Sequence, residues 1–393
     1  MDTKTVTITQ KVARWQVTGT PEDGGSLSFA QDGAPFLDCL HNRLDDTTFD
    51  VTRSRSFHKG GIAVCEFEAS LADGSAAISQ TTRLAANVAR VCTDVTLRAG
   101  RAIADALAIG SFTLEGRWTR LTVFGADGAA TSQELVPGGA PLRWTSPLPL
   151  AWLLEREDGF RVEVGTGFDA WRWQQGLEMP SAVEVTLQTM SHSLSFERAI
   201  AANHDETPNE DGIVGLLPQP RVYRLCHHLA WTTDVCAPRT SDALPPQADI
   251  TAGGLDCAAL PDHPELTLDL STLPLPASAR LNGAPDALPC WESRVTLAAA
   301  KRLVRQLASH PTGRLHVTGG LSPAPCSCGT HVDRPRKTTA HWGLNAIVCF
   351  AQWTRQTLGN GWDISCDIPQ PWNQLPSLQG LFAINGFSEQ DRG

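Results

Sequence analysis

The densest run of chemically capable side chains lies between Gly319 and Trp342, where Cys326, Cys328, His331, Asp333, Arg334, Arg336, Lys337 and His341 follow one another closely. Two chemistries are open to them. Thiolates and imidazoles are the ligands of soft divalent metals, and Cys326, Cys328, His331 and His341 together would make a Cys₂His₂ set for zinc. The C-x-C gap is shorter than that of common zinc knuckles, so an exposed turn with two unpaired thiols stands as the alternative. Without a metal, His331, Asp333 and His341 are the acid/base candidates, since an imidazole near its solution pKa exchanges protons at neutral pH. Arg334, Arg336 and Lys337 would then clamp an anionic group, guanidinium forks matching carboxylate and phosphate. A solvated basic turn is the plain alternative for those three charges.

A rival site is written earlier in the chain. Trp171 and Trp173 sit at alternate positions, and His192, Glu197, His204, Asp205 and Glu206 follow. Sugar sites are often built this way, with an aromatic platform beneath the ring and carboxylates or imidazoles at the reacting bond. Core tryptophans would look the same. His227 and His228 add a third candidate on one strand, and His228, as a substrate-binding residue, ranks below the loop.

Several signatures are absent from the sequence: the G-x-S-x-G elbow, the G-x-x-x-x-G-K-[ST] loop, H-E-x-x-H, and a G-x-G-x-x-G that opens a helix after a strand. Their absence disfavours common serine-hydrolase and nucleotide chemistries.

The elements that must carry these residues fall into two grammars. From Lys4 to about Trp231, short alternating runs such as Ala63–Ala69, Arg117–Phe124, Leu150–Arg156 and Phe160–Val164 are broken by turn dipeptides. Asp32-Gly33, Asp73-Gly74, Asp127-Gly128 and Asp158-Gly159 supply the positive φ angles of tight hairpins, so several neighbours should be antiparallel. Within Arg221–Trp231, a period of two puts Tyr223, Leu225, His227, Leu229 and Trp231 on one face. Arg224, Cys226 and His228 take the other. Residues 234–264 turn to Pro, Ala, Asp and Gly without periodicity and read as a connection.

Beyond that connection, Glu265–Leu270 alternates as a strand and Trp291–Ser309 carries Leu303, Val304 and Leu307 at helical spacing. Arg314–Thr318 is a short strand. Leu344, Ile347, Val348, Ala351, Thr354 and Leu358 trace a second helix stopped at Gly359-Asn360-Gly361, and Trp362, Ile364, Cys366 and Ile368 alternate as a last strand. Strand, helix, strand, helix, strand implies parallel crossovers. The long loop from Gly319 to Trp342 leaves the carboxyl end of one of these strands, where ligands of open α/β sheets bind.

The expected fold is therefore α+β and multidomain. A large antiparallel β-sandwich over 1–233, extending to a supersandwich-like form, is joined by a linker at 234–264 to a smaller α/β segment with parallel strands at 265–393. The long β region with its Trp and His residues resembles, in general appearance, the large β-sandwich domains of carbohydrate-active proteins, and no diagnostic motif carries individual residues over.

Bulk properties narrow the partners. The chain has 393 residues, a net charge of −10 and 11 cysteines without repeated spacing. That charge disfavours nucleic acid, and scattered thiols in a chain whose start lacks a secretory signal suggest a reducing, cytoplasmic setting without membrane association. Twelve tryptophans beside one tyrosine is a skewed choice that suits the apolar faces of sugars as well as cores. The expected function is a carbohydrate-active enzyme acting on a sugar or sugar acid by general acid/base chemistry, as hydrolase, lyase or epimerase. The expected partner is a small carbohydrate or organic acid, with zinc as the one cofactor candidate. The alternative is a non-catalytic glycan- or protein-binding module with a structural α/β end.

Overall fold

A computed structural model describes residues 15–20, 26–31, 34–59, 62–85, 88–99, 101, 103–125, 129–145, 148–166, 170–171, 183–201, 221–232, 260–276, 289–291, 293–321, 340–359, 361–366 and 372–377. In chain order the first strands are β1 (Trp15–Thr20), β2 (Ser26–Gln31), β3 (Ala34–Leu44), β4 (Thr47–Thr48), β5 (Asp50–Lys59), β6 (Ile62–Ser70), β7 (Ala76–Ala85) and β8 (Val88–Leu97). There follow β9 (Ala106–Glu115), β10 (Trp118–Phe124), β11 (Ala130–Glu134), β12 (Leu142–Thr145), β13 (Ala151–Arg156) and β14 (Arg161–Thr166). The set continues with β15 (Ala170–Trp171), β16 (Val183–Thr189), β17 (Ser193–Ala201) and β18 (Arg221–Thr232). After these come β19 (Glu265–Asp269), α1 (Arg294–Leu307), β20 (Gly313–Thr318), α2 (Ala340–Leu358) and β21 (Trp362–Cys366).

Among the described residues, β1 to β18 form two sheets. One has eight strands, ordered β1-β2-β3-β9-β17-β16-β12 with β4 on β3. The other has ten, ordered β11-β10-β13-β14-β18-β8-β7-β6-β5 with β15 on β18. Local hairpins do much of the wiring, as the turn dipeptides require. Asp73-Gly74 joins β6 to β7 and Asp158-Gly159 joins β13 to β14, both pairs antiparallel, with the two glycines at φ +65° and +83°. In the second turn, Asp158 Oδ1 accepts from the Phe160 amide at 3.1 Å, which closes the loop locally.

The interior between the two sheets is aromatic. Trp152 of β13 meets Trp144 of β12 edge-on at 5.5 Å and Phe196 of β17 at 5.3 Å, and Phe196 stacks on Phe112 of β9 at 5.0 Å. Pairs in these geometries add about 0.5–1.5 kcal/mol each beyond area burial. These contacts also orient the ten-stranded sheet. Trp152 points inward and is paired in register with Val164, so Leu153, Ala151, Glu163 and Gly165 face the opposite way.

The chain divides into two compact units, residues 1–125 with 131–229, and residues 230–393 with 126–130. The expected connection at 234–264 lies outside the described residues up to 259. In the second unit β19, β20 and β21 pair in parallel and in sequence order, and α1 and α2 pack on each other. The helical spacing read from Leu303, Val304 and Leu307 is the buried stripe of α1. Ser293 caps that helix, its hydroxyl accepting from the Val295 amide. Gly359, at φ +72°, follows the last residue of α2, where a left-handed stop was expected. Trp362 Nε1 donates to the His310 carbonyl at 3.0 Å, and Arg355 Nη1 donates to the Trp362 carbonyl at 2.8 Å. Among the described residues no helix is long and apolar enough to cross a membrane.

Candidate functional site

The outer face of the ten-stranded sheet, turned away from the eight-stranded one, carries the most constrained titratable pair among the described residues. His228 Nε2 of β18 lies 2.6 Å from Glu163 Oε1 of β14, with side-chain exposures of 2% and 0%. The two strands are neighbours, and they stand near the middle of the sheet order. A charge-bearing group so deeply buried requires a partner, because an unpaired carboxylate in such surroundings costs several kcal/mol. With Glu163 ionised, Nε2–H donates to it, which fixes the imidazole tautomer and leaves Nδ1 as the basic atom.

Gly165 makes the pair possible. A Cβ built there would fall 1.9 Å from His228 Cε1 and 2.2 Å from Nε2, so the imidazole occupies space over β14 that only glycine leaves open. The neighbouring His227 points the other way, into the sandwich. A Cβ on Gly110 of β9 would lie 2.6 Å from His227 Cε1, and Gly110 takes a left-handed φ of +63°. Opposite it, a polar chain crosses between the sheets. The Gly110 amide donates to Asn42 Oδ1 at 2.9 Å, Asn42 Nδ2 donates to Gln80 Oε1 at 3.2 Å, and the Thr93 hydroxyl donates to the same oxygen at 3.0 Å. Neither ring nitrogen of His227 has a hydrogen-bond partner among the described residues. Burial, then the Arg198 charge, then His228 push its pKa down to about 3, so it is a neutral imidazole.

The reading of β18 by period two therefore holds, with His227 inside and His228 on the other face. His228, expected as a lesser substrate contact, is instead one half of a buried dyad. Glu163 sits in the run Phe160–Val164 between two valines, where no local pattern in the sequence singles it out. Its signal was a lone carboxylate at a strand position, and its partner is 65 residues away in sequence.

The remaining sequence candidates separate. Trp171 lies in β15, paired in register with Tyr223 of β18. Trp173, His204, Asp205 and Glu206 lie outside the described residues. His192 is exposed in the turn between β16 and β17, and Glu197 of β17 makes a 3.5 Å ion pair with Arg43 of β3 in the eight-stranded sheet. These two are thus not on the face that carries Glu163.

Of the Gly319–Trp342 loop, Cys326, Cys328, His331, Asp333, Arg334, Arg336 and Lys337 lie outside the described residues, and His341 falls in the first turn of α2. The root of the loop is visible. Asp269, ending β19, accepts from the Ser271 amide at 2.9 Å and the Ser271 hydroxyl at 2.7 Å. Gly319, at φ +72°, has no room for a Cβ, which would lie 1.7 Å from Asp269 Oδ1. Trp291 Nε1 donates to the Gly320 carbonyl at 2.6 Å. Among the described residues no group of three or more His, Cys, Asp or Glu side chains is placed to hold a metal.

No protein-family model matches the sequence. No curated protein matches it either. Solved structures similar to it include the Slr1438 protein of Synechocystis sp. PCC 6803, at 10% identity and TM-score 0.39 over 60% of this chain and 97% of that one. A galactose mutarotase related enzyme from Lactobacillus acidophilus is similar at 11% identity and TM-score 0.35, over 58% and 97%. The GH36 alpha-galactosidase AgaB from Geobacillus stearothermophilus is similar at 9% identity and TM-score 0.34, over 86% of this chain and 61% of that one.

Proposed function

We propose that the chain is a carbohydrate-active enzyme working by general acid/base chemistry, with Glu163 and His228 as its proton-handling pair. The observation that carries this reading is the 2.6 Å carboxylate–imidazole contact at the centre of the outer face of the largest sheet. In this reading Glu163 holds Nε2–H and so fixes the orientation of the imidazole. His228 Nδ1 takes a proton from an anomeric hydroxyl and returns one to the ring oxygen, the exchange that anomer interconversion needs; elimination would draw the proton from carbon, and glycoside cleavage from water. A neutral polyol gives up its proton without the site having to accept a permanent charge. The loop residues His331, Asp333 and His341, with Arg334, Arg336 and Lys337 as anion clamps, are the competing catalytic set. Zinc on Cys326, Cys328, His331 and His341 belongs to that competitor.

The test is turnover on a panel of free aldoses, sugar acids and aryl glycosides, comparing His228→Gln and Glu163→Gln with His331→Ala and His341→Ala. We expect the first two to lower kcat about 10²–10⁴-fold with far-UV circular dichroism unchanged. Loss of activity in the loop variants alone would move the centre to the loop.

The same burial favours a second reading, in which the pair is a structural clamp and the chain a non-catalytic glycan-binding module. Glutamine at either position would then destabilise the fold without affecting any turnover, and oligosaccharides would quench tryptophan fluorescence with no product formed.

A further inference from the structure

A groove on the same outer face, at the β5 end of the ten-stranded sheet, has a volume of about 270 Å³ and is lined by Arg53, Arg55, Glu66, Glu68, Ser79 and Thr81 among others. Register places these side chains. Gln80 and Thr93 are opposite one another and face inward, since Gln80 receives Asn42 of the other sheet. Ser79 and Thr81 therefore face outward, opposite Glu68 and Glu66, which in turn oppose Arg53 and Arg55. Two rows of arginine, glutamate and hydroxyl thus run across three strands, a strand spacing of ~4.8 Å apart within each row.

The composition of these rows selects a ligand. Two guanidiniums and two carboxylates cancel, so an ion of either sign gains no net attraction. Interleaved planar donors and acceptors instead match vicinal hydroxyls, each of which gives one hydrogen and accepts another. Next along β5, Phe57 is 37% exposed, and the Arg55 guanidinium lies over its ring at 5.4 Å. The Arg55–Glu66 ion pair holds that guanidinium in place. Phe57 and the guanidinium held over it thus border the hydrogen-bonding rows at that end, setting a partly apolar edge beside the polar partners of a pyranose ring.

We propose that this groove binds a neutral glycosyl unit of an extended saccharide, at a distance from the acid/base pair. β6 stands three strand spacings from β18 and four from β14, ~14–19 Å at the usual spacing, so one ligand reaching both regions spans several sugar rings. This inference rests on the carbohydrate reading but not on the chemistry assigned to Glu163 and His228.

Calorimetric titration of the full chain tests it, with maltotetraose, cellotetraose and a β-1,4-galactotetraose as neutral probes and tetragalacturonate as the acidic one. We expect at least one neutral probe to bind, the Arg53→Ala/Glu68→Ala double variant to bind it at least about 10-fold more weakly, and Glu163→Gln to bind it as the parent does. Both substituted side chains are exposed and the double change leaves net charge unaltered. Equal affinity in the double variant, stronger binding of tetragalacturonate, or no binding of any probe would overturn the inference. Loss of turnover in Glu163→Gln with groove binding intact separates this result from the catalytic reading.

Discussion

His227 shows most clearly what a single buried side chain commits the protein to. Its unfolded pKa is near 6.5 and its folded one about 3, so the unfolded chain takes up a proton that the folded chain refuses throughout that window. Stability is fully present above about 6.5 and falls as pH drops, by about 1.4 kcal/mol per pH unit from this residue alone. His227→Gln removes the titration. Urea denaturation at pH 7.5, 6, 5 and 4 should therefore show the parent losing stability faster than the variant below pH 6.5, with equal slopes above it. Parallel curves across the whole range would mean that the imidazole is protonated inside the sandwich. The orientation behind this prediction was legible in the sequence, because alternation along Arg221–Trp231 already groups His227 with apolar residues. The identity of His228's partner was not, because Glu163 lies on another strand and only the sheet order brings the two together.

At the level of the element, β14 is the strand on which the candidate chemistry depends. Its outward positions alternate Arg161, Glu163 and Gly165, while its inward ones are Val162 and Val164 against the aromatic interior. A Gly165→Ala substitution would put a methyl group 1.9 Å from His228 Cε1. The imidazole must then leave the strand surface and with it the carboxylate, at a cost of about 1–3 kcal/mol from overpacking. We expect Gly165→Ala to lower the melting temperature and to reduce turnover as strongly as His228→Gln. Gly159→Ala, in the adjacent hairpin, meets nothing within 4 Å and pays only for its φ of +83°. It should cost about 1 kcal/mol and leave turnover intact. Hairpins such as this one were readable from the sequence, because Asp-Gly declares the turn and the alternation declares the face. The helices of the second unit were readable from their apolar spacing and caps, and the parallel strands from their alternation with those helices.

Across the whole molecule, what could not be read was the order of strands. β3 pairs with β9 and β14 lies beside β18, contacts joining segments far apart in sequence that no local pattern records. That order gives the ten-stranded sheet one continuous outer face, with a charge-balanced groove at one end and a carboxylate–imidazole pair near its middle. The chain as a whole carries a net charge of −10, which repels polyanions at long range, while the groove itself is electrically neutral. These two facts predict a ligand whose affinity ignores salt. Between about 50 mM and 500 mM sodium chloride the Debye length shrinks several-fold, yet the dissociation constant for a bound neutral tetraose should move by less than about twofold, since no ion is released or paired on binding. An acidic saccharide held by Arg53 and Arg55 would instead weaken steeply over the same range. A steep salt dependence for the neutral probe would show that its binding site is charged, and would place it away from the balanced rows of β5, β6 and β7.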